Sequence, residues 1–149
     1  MTERFTIPLS VLLARETIEQ PWREVRWRSV EVLLGPAAAS SFREVARGPS
    51  FVRYVTAPID LVLDRHDEMA YRANLANGEP SVYVVLNEHV GDGPPVRIEL
   101  VTLSPFAARA SQGLGPETVD RVAMPGQLRS LVQRFLGDPA EHRVEPAMR

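Results

Sequence analysis

The sequence predicts an α+β fold dominated by antiparallel strands: a strongly bent sheet or open barrel, two short helical inserts and a C-terminal amphipathic helix. Three observations lead there. In most of the chain, apolar residues alternate with polar ones at a spacing of two. The strand-like runs follow one another through short connections, so they pair locally. The one full helical stripe, Leu128, Leu131, Val132, Phe135 and Leu136, comes near the C-terminal end.

Phe5, Ile7, Leu9, Val11 and Leu13 alternate with Thr6, Pro8, Ser10, Leu12 and Ala14, which predicts a first strand over 5–15. Pro8 lacks a backbone donor, so this strand is expected at an edge or beginning with a bulge. In PWREVRWRSVEVLLG (21–35), Val25 and Trp27 share one parity and Arg26 and Arg28 the other. Past Ser29 the apolar parity flips to Val30, Val32 and Leu34. A bulge near Arg28–Ser29 reconciles the two halves. It places Trp27 in the core and leaves Trp22, on the arginine side, the more exposed tryptophan.

Phe42–Arg47 reads as a short strand, and FVRYVT (51–56) and PIDLVLD (58–64) as two more. The Ala57-Pro58 step between them marks a kink. HDEMAYRANLANG (66–78) switches to helix, with acidic residues in the first turn, a stripe of Met69, Arg72, Ala73 and Ala76, and an Asn77-Gly78 stop. SVYVVLNE (81–88) is the near-continuous apolar run of a central strand. With GDGPP (91–95) and VRIELVTL (96–103) it forms a hairpin. SPFAARASQG (104–113) is a helix with Ser104 as N-cap and Pro105 at its first position. ETVDRVAM (117–124) is a last strand. PGQLRSLVQRFLGDP (125–139) closes the chain as a helix, ended by Gly137 and Pro139. A pleckstrin-homology-like barrel, which also ends in a helix, is one way to bury that helix's stripe.

The 149 residues make one domain, 1–149, with 138–149 as a loose tail. The chain has no cysteine, which excludes disulfides, a cysteine nucleophile and thiolate metal sites. It has no lysine either: all 17 basic residues are arginine, so lysine Schiff-base or general-base chemistry is excluded. Codon bias in a G+C-rich genome accounts for that arginine preference. A net charge of −2 gives no global attraction to nucleic acid or anionic membrane. No apolar run approaches 18 residues and no signal-peptide pattern opens the chain, so the expected compartment is the cytoplasm.

Catalytic motifs are missing. The histidines, His66, His89 and His142, have no H-x-x-x-H or H-E-x-x-H spacing. G-x-S-x-G, the P-loop and G-x-G-x-x-G are absent. No cofactor, metal or catalytic residue is therefore assigned, and the balance is against an enzyme. Two clusters remain. Trp22, Arg26 and Arg28 interleave aromatic and cationic groups, a pattern of protein-interface anchors. Nucleic-acid stacking would use the same types, but Glu24 and Glu31 dilute the patch. RHDE (65–68), with Asp64 before it, groups Asp64, His66 and Asp67. That is an alternative small-ligand or nucleotide site, possible hydrolysis included. The plainer account is helix capping, where first-turn acids favour the dipole. A self-associating module or homodimer, built on the edge that Pro8 implies, is the third reading.

Three stretches together resemble a family of uncharacterised bacterial proteins of similar length: IPLSVLLARETIEQPWREVRWRSVEVLLG (7–35), YVTAPIDLVLDRHDEMAYRANLANGEPSVYVVL (54–86), and LSPFAARASQ followed by DRVAMPGQLRSLVQRFL (103–112 and 120–136). Members are often encoded beside molybdenum-dependent formate dehydrogenase genes and their maturation factors. The resemblance implies an accessory protein whose partner is a formate dehydrogenase subunit or maturation factor. It supplies no catalytic residues. The tail after Gly137 lacks a basic cluster, which puts any tail-mediated contact in doubt.

Overall fold

The computed structural model describes residues 4–19, 21, 23–35, 42–88, 95–112 and 117–137. Trp22, His89, the 36–41 loop, most of GDGPP and the 138–149 tail lie outside the described residues. The fold is mostly antiparallel strand with three short helices, as the periodicity predicts. Its first sheet runs β2-β1-β4-β3, where β1 is Arg4–Glu19, β2 Arg23–Leu34, β3 Arg43–Arg47 and β4 Phe51–Val55. β5 (Ile59–Asp64) pairs with the first half of β1. The second sheet runs β7-β6-β8, where β6 is Ser81–Glu88, β7 Val96–Thr102 and β8 Thr118–Ala123. Both sheets are open.

β1 is a central strand, not the edge that Pro8 suggests. β2 pairs with one side of it and β4 and β5 share the other. The proline is tolerated because β2 ends there. The last pair of that ladder is Leu9 with Leu34, and beyond it the Pro8 carbonyl still accepts from the Gly35 N–H at 3.2 Å. The missing donor thus breaks no bond between β1 and β2. Gly35, at φ 93°, turns the chain away in a region that favours glycine.

The predicted bulge is present in β2. Leu12 faces Glu31 and Leu13 faces Ser29, so Val30 is the extra residue and the parity flips around it. Between β4 and β5 the kink at Ala57-Pro58 would cost β1 an acceptor. Thr56 replaces it: the Val11 N–H donates to Thr56 Oγ1 at 3.0 Å, and the Thr56 N–H donates to the Val11 carbonyl at 3.1 Å.

The core lies between the two sheets. Leu9, Val11 and Leu13 of β1, Leu61 and Leu63 of β5, and Val82 and Val84 of β6 are all fully buried there. α3 (Gly126–Leu136) adds Leu128, Val132, Phe135 and Leu136, four of its five predicted stripe residues, with Leu131 partly buried. Each such side chain contributes about 1.5–3 kcal/mol of burial. α2 (Pro105–Gln112) starts as predicted, the Ala107 N–H donating to Ser104 Oγ at 3.2 Å. The first strand's predicted apolar face starts at Ile7, not Phe5, which is 43% exposed.

α1 (Glu68–Ala76) follows a single 3-10 turn, Arg65–Asp67, and it is rotated from the predicted stripe. Its buried residues are Tyr71 and Asn74, while Met69 is 84% exposed. Backbone hydrogen bonding explains the rotation. Asn74 Nδ2 donates to the carbonyls of Ser81 (2.8 Å) and Leu103 (2.9 Å), and its Oδ1 accepts from the Ser81 N–H at 2.9 Å. The Tyr71 hydroxyl accepts from the Asp64 N–H at 3.0 Å. These two side chains satisfy strand-end groups that water cannot reach. Arg72 Nη2 then donates to the Leu136 carbonyl at 2.8 Å, capping the last turn of α3.

Candidate functional site

β1 and β2 carry charge past the buried core. Residues opposite one another in an antiparallel pair share a face. Ala14 stands between Arg28 of β2 and Arg53 of β4, and Glu16 between Arg26 and Phe51. The outward face of this sheet end therefore joins Arg26, Arg28, Arg53, Phe51 and Glu16. Arg28 Nη2 and Nε donate to Glu16 Oε2 at 2.8 and 3.1 Å. Those bonds raise the guanidinium above its ordinary value, against the opposing effect of burial. Arg26 is exposed and makes no ion pair among the described residues. The Arg53 guanidinium lies 5.2 Å from the Phe51 ring centre, with its Nε buried and without a hydrogen-bond partner. A depression of about 270 Å³ runs alongside, lined by Glu16, Ile18, Ser50, Phe51 and Arg53 among others.

The opposite face is closed by three rings. Trp27 lies 5.5 Å from Tyr54 and 6.1 Å from Phe42, and Phe42 stacks on Tyr54 at 4.7 Å. Such pairs add about 0.5–1.5 kcal/mol beyond area. Trp27 is a core residue, as its parity predicts. The β3–β4 turn needs glycine at 48, where a Cβ would run into the Phe51 ring. This sheet end thus has an aromatic underside and an arginine-rich outer side. Trp22, the aromatic member of the sequence cluster, lies outside the described residues.

The RHDE cluster sits at the other end of β1. Asp64 Oδ1 accepts from the His66 N–H at 3.0 Å, capping the 3-10 turn, and Oδ2 accepts from Arg4 Nε at 3.1 Å. These contacts, the His66 N–H first, hold its carboxyl below the usual range. His66 and Asp67 are exposed, and His66 Nδ1 is 3.7 Å from Asp64 Oδ1. Glu68 is held below its ordinary value by Arg72, which donates at 2.8 and 3.0 Å, and then by Arg65. Asp64 is thus engaged in capping and ion pairing. No group of three or more potential metal ligands occurs among the described residues.

The adjoining depression has a different lining from the predicted one. Arg4, Arg65 and Arg134 surround Phe5, Leu131 and Phe135, enclosing about 220 Å³. Asp64, His66 and Asp67 are not part of it. The residues overlooked in the sequence are Arg53 with Phe51, and Arg4 with Arg134. Their signal lies in pairing, not spacing. Arg53 meets Arg28 only across β1, and Arg134 meets Arg4 only where α3 docks.

A family model described as Protein of unknown function (DUF3305) matches residues 8–149. No curated protein and no solved structure matches the chain. No described helix is long and apolar enough to cross a membrane. With a match spanning nearly its whole length, the chain belongs to the DUF3305 family of proteins of unknown function.

Proposed function

We propose that this is a non-catalytic accessory protein that binds a protein partner through the outer face of its first sheet. The observation that carries the reading is the Arg26–Arg28–Arg53 face with Phe51 and Ile18 beside it. Arginines beside partly buried apolar groups are the residue types of interface anchors. Arg53, held over a ring, is pre-positioned for a carboxylate. The partner we propose is a subunit or maturation factor of a molybdenum-dependent formate dehydrogenase, a choice that rests on the resemblance of the three stretches given above. The working compartment is then the cytoplasm.

Affinity purification of the tagged protein from its native cells, with mass spectrometry, tests this. Wild type should recover an oxidoreductase subunit or maturation protein, and Arg26→Ala/Arg53→Ala should lose it. Recovery of neither from wild type would sink the proposal.

A further inference from the structure

The depression at the base of β1 stands apart from the outer face just discussed. Phe5 and Glu16 lie eleven residues apart on β1, a span of up to roughly 36 Å along an extended strand. Three arginines converge at the depression. Arg4 uses only Nε on Asp64, and its side chain is 70% exposed. Arg65 lies over the Phe135 ring, its guanidinium carbon 4.0 Å from the ring centre, and is tied to Glu68 at 3.4 Å. Arg134, in the last turn of α3, is exposed and makes no ion pair among the described residues.

Among the described residues, no carboxylate lines the depression. Asp64 and Glu68, which do not line it, are each already engaged by cations. The described lining of the mouth is therefore positive, with Arg4, Arg65 and Arg134 as its charged members. The floor is apolar: Phe5, Leu131 and Phe135. Phe5 and Leu131 keep exposed area there, although their strand and helix otherwise bury their apolar faces.

We infer that this depression docks an acidic segment of a partner protein, one apolar side chain seated on the Phe5–Leu131–Phe135 floor and flanking carboxylates on Arg4 and Arg134. Charge complementarity chooses this occupant. A basic or neutral segment would gain nothing from the arginines, and a bare inorganic anion would leave the apolar floor wet. Arg65 serves as a preorganised wall, since ring and Glu68 already fix its orientation. The inference rests on the protein-binding reading above and gives it a second contact surface.

Fluorescence anisotropy with a labelled Glu-Glu-Leu-Glu-Glu peptide tests the site directly. The wild-type protein should bind it, and replacing the peptide's leucine by serine or its glutamates by glutamine should weaken binding. Arg134→Gln, an exposed change that leaves the core untouched, should weaken binding about fivefold, while Arg109→Gln, exposed on α2 and outside both depressions, should not. Absence of wild-type binding, equal binding by Arg134→Gln, or equal weakening by Arg109→Gln would overturn the inference. The native purification separates the two proposals. A partner retained by wild type and lost from Arg134→Gln supports this site. A partner retained by both overturns it and leaves the first reading standing. A partner absent from wild type overturns the first reading, and the peptide measurement then decides this site alone.

Discussion

The two ends of β1 lie in one continuous ladder yet are held by different forces. From Ile7 to Leu13 every inward side chain is 5% exposed or less, packed against the second sheet and α3. From Arg15 to Glu19 no side chain is buried. There the structure relies on the Arg28–Glu16 pair, the Phe51–Arg53 contact and a small ring cluster. Burial of a leucine is worth a few kcal/mol, and an exposed ion pair well under one. The first end therefore sets global stability. The second end can open or rearrange at lower free energy, which suits the partner-binding role proposed for that face.

The sharpest way to break this contrast is at the core end. Leu128 of α3 is fully buried in the core cluster. Leu128→Ala should destabilise the whole protein by about 3 kcal/mol through lost burial and a residual cavity. Chemical denaturation should show a lower midpoint with an unchanged slope. A loss below about 1 kcal/mol would mean that α3 is not integral to the core.

Tyr54→Ala probes the other end. It removes the ring that stacks on Phe42 and touches Trp27, from a position only partly buried. The expected global loss is about 1–2 kcal/mol. The more telling readout is hydrogen exchange. Amides of β3 and β4 should lose protection while those of β5 and β6 keep it. Uniform loss across both sheets would show that the two ends form one cooperative unit.

The same contrast decides what could be read without coordinates. The strands, the bulge in β2, the Ser104 cap and the α3 stripe were legible because each follows from local periodicity or capping chemistry. Pro8 misled because its tolerance depends on where β2 stops, a non-local fact. The α1 face misled because Asn74, a polar residue, is the buried one, its amide serving Ser81 and Leu103 from a distance in sequence. The candidate site was half legible. Arg26 and Arg28 follow from β2's parity. Arg53 and Phe51 join them only through the register of β4 on β1, and Arg4 meets Arg134 only by tertiary docking. The acidic cluster was conspicuous in sequence for the very reason that it caps a turn.

The smallest effect separates ion pairs at the two ends. Glu68 and Glu44 are both held below the ordinary glutamate value of 4.5, by Arg72 and Arg47 respectively. A carboxylate depressed in the folded state contributes stability that is present above its unfolded value and lost as pH falls through its folded one. Acidification below 4.5 should therefore erode stability. Glu68 bridges Arg72 and Arg65, which in turn contact α3 through the Leu136 carbonyl and the Phe135 ring. Glu68→Gln should lower stability at neutral pH by about 0.5 kcal/mol and flatten the acid limb. Glu44 pairs with Arg47 inside one exposed edge strand, in open solvent. Its loss changes nothing beyond that strand, so the Glu44→Gln profile should superimpose on wild type between pH 7 and the acid limb. Equal flattening by both variants would mean that β3 is coupled to the global transition, and the division of β1 into a buried end that sets global stability and an end that opens separately would fall with it.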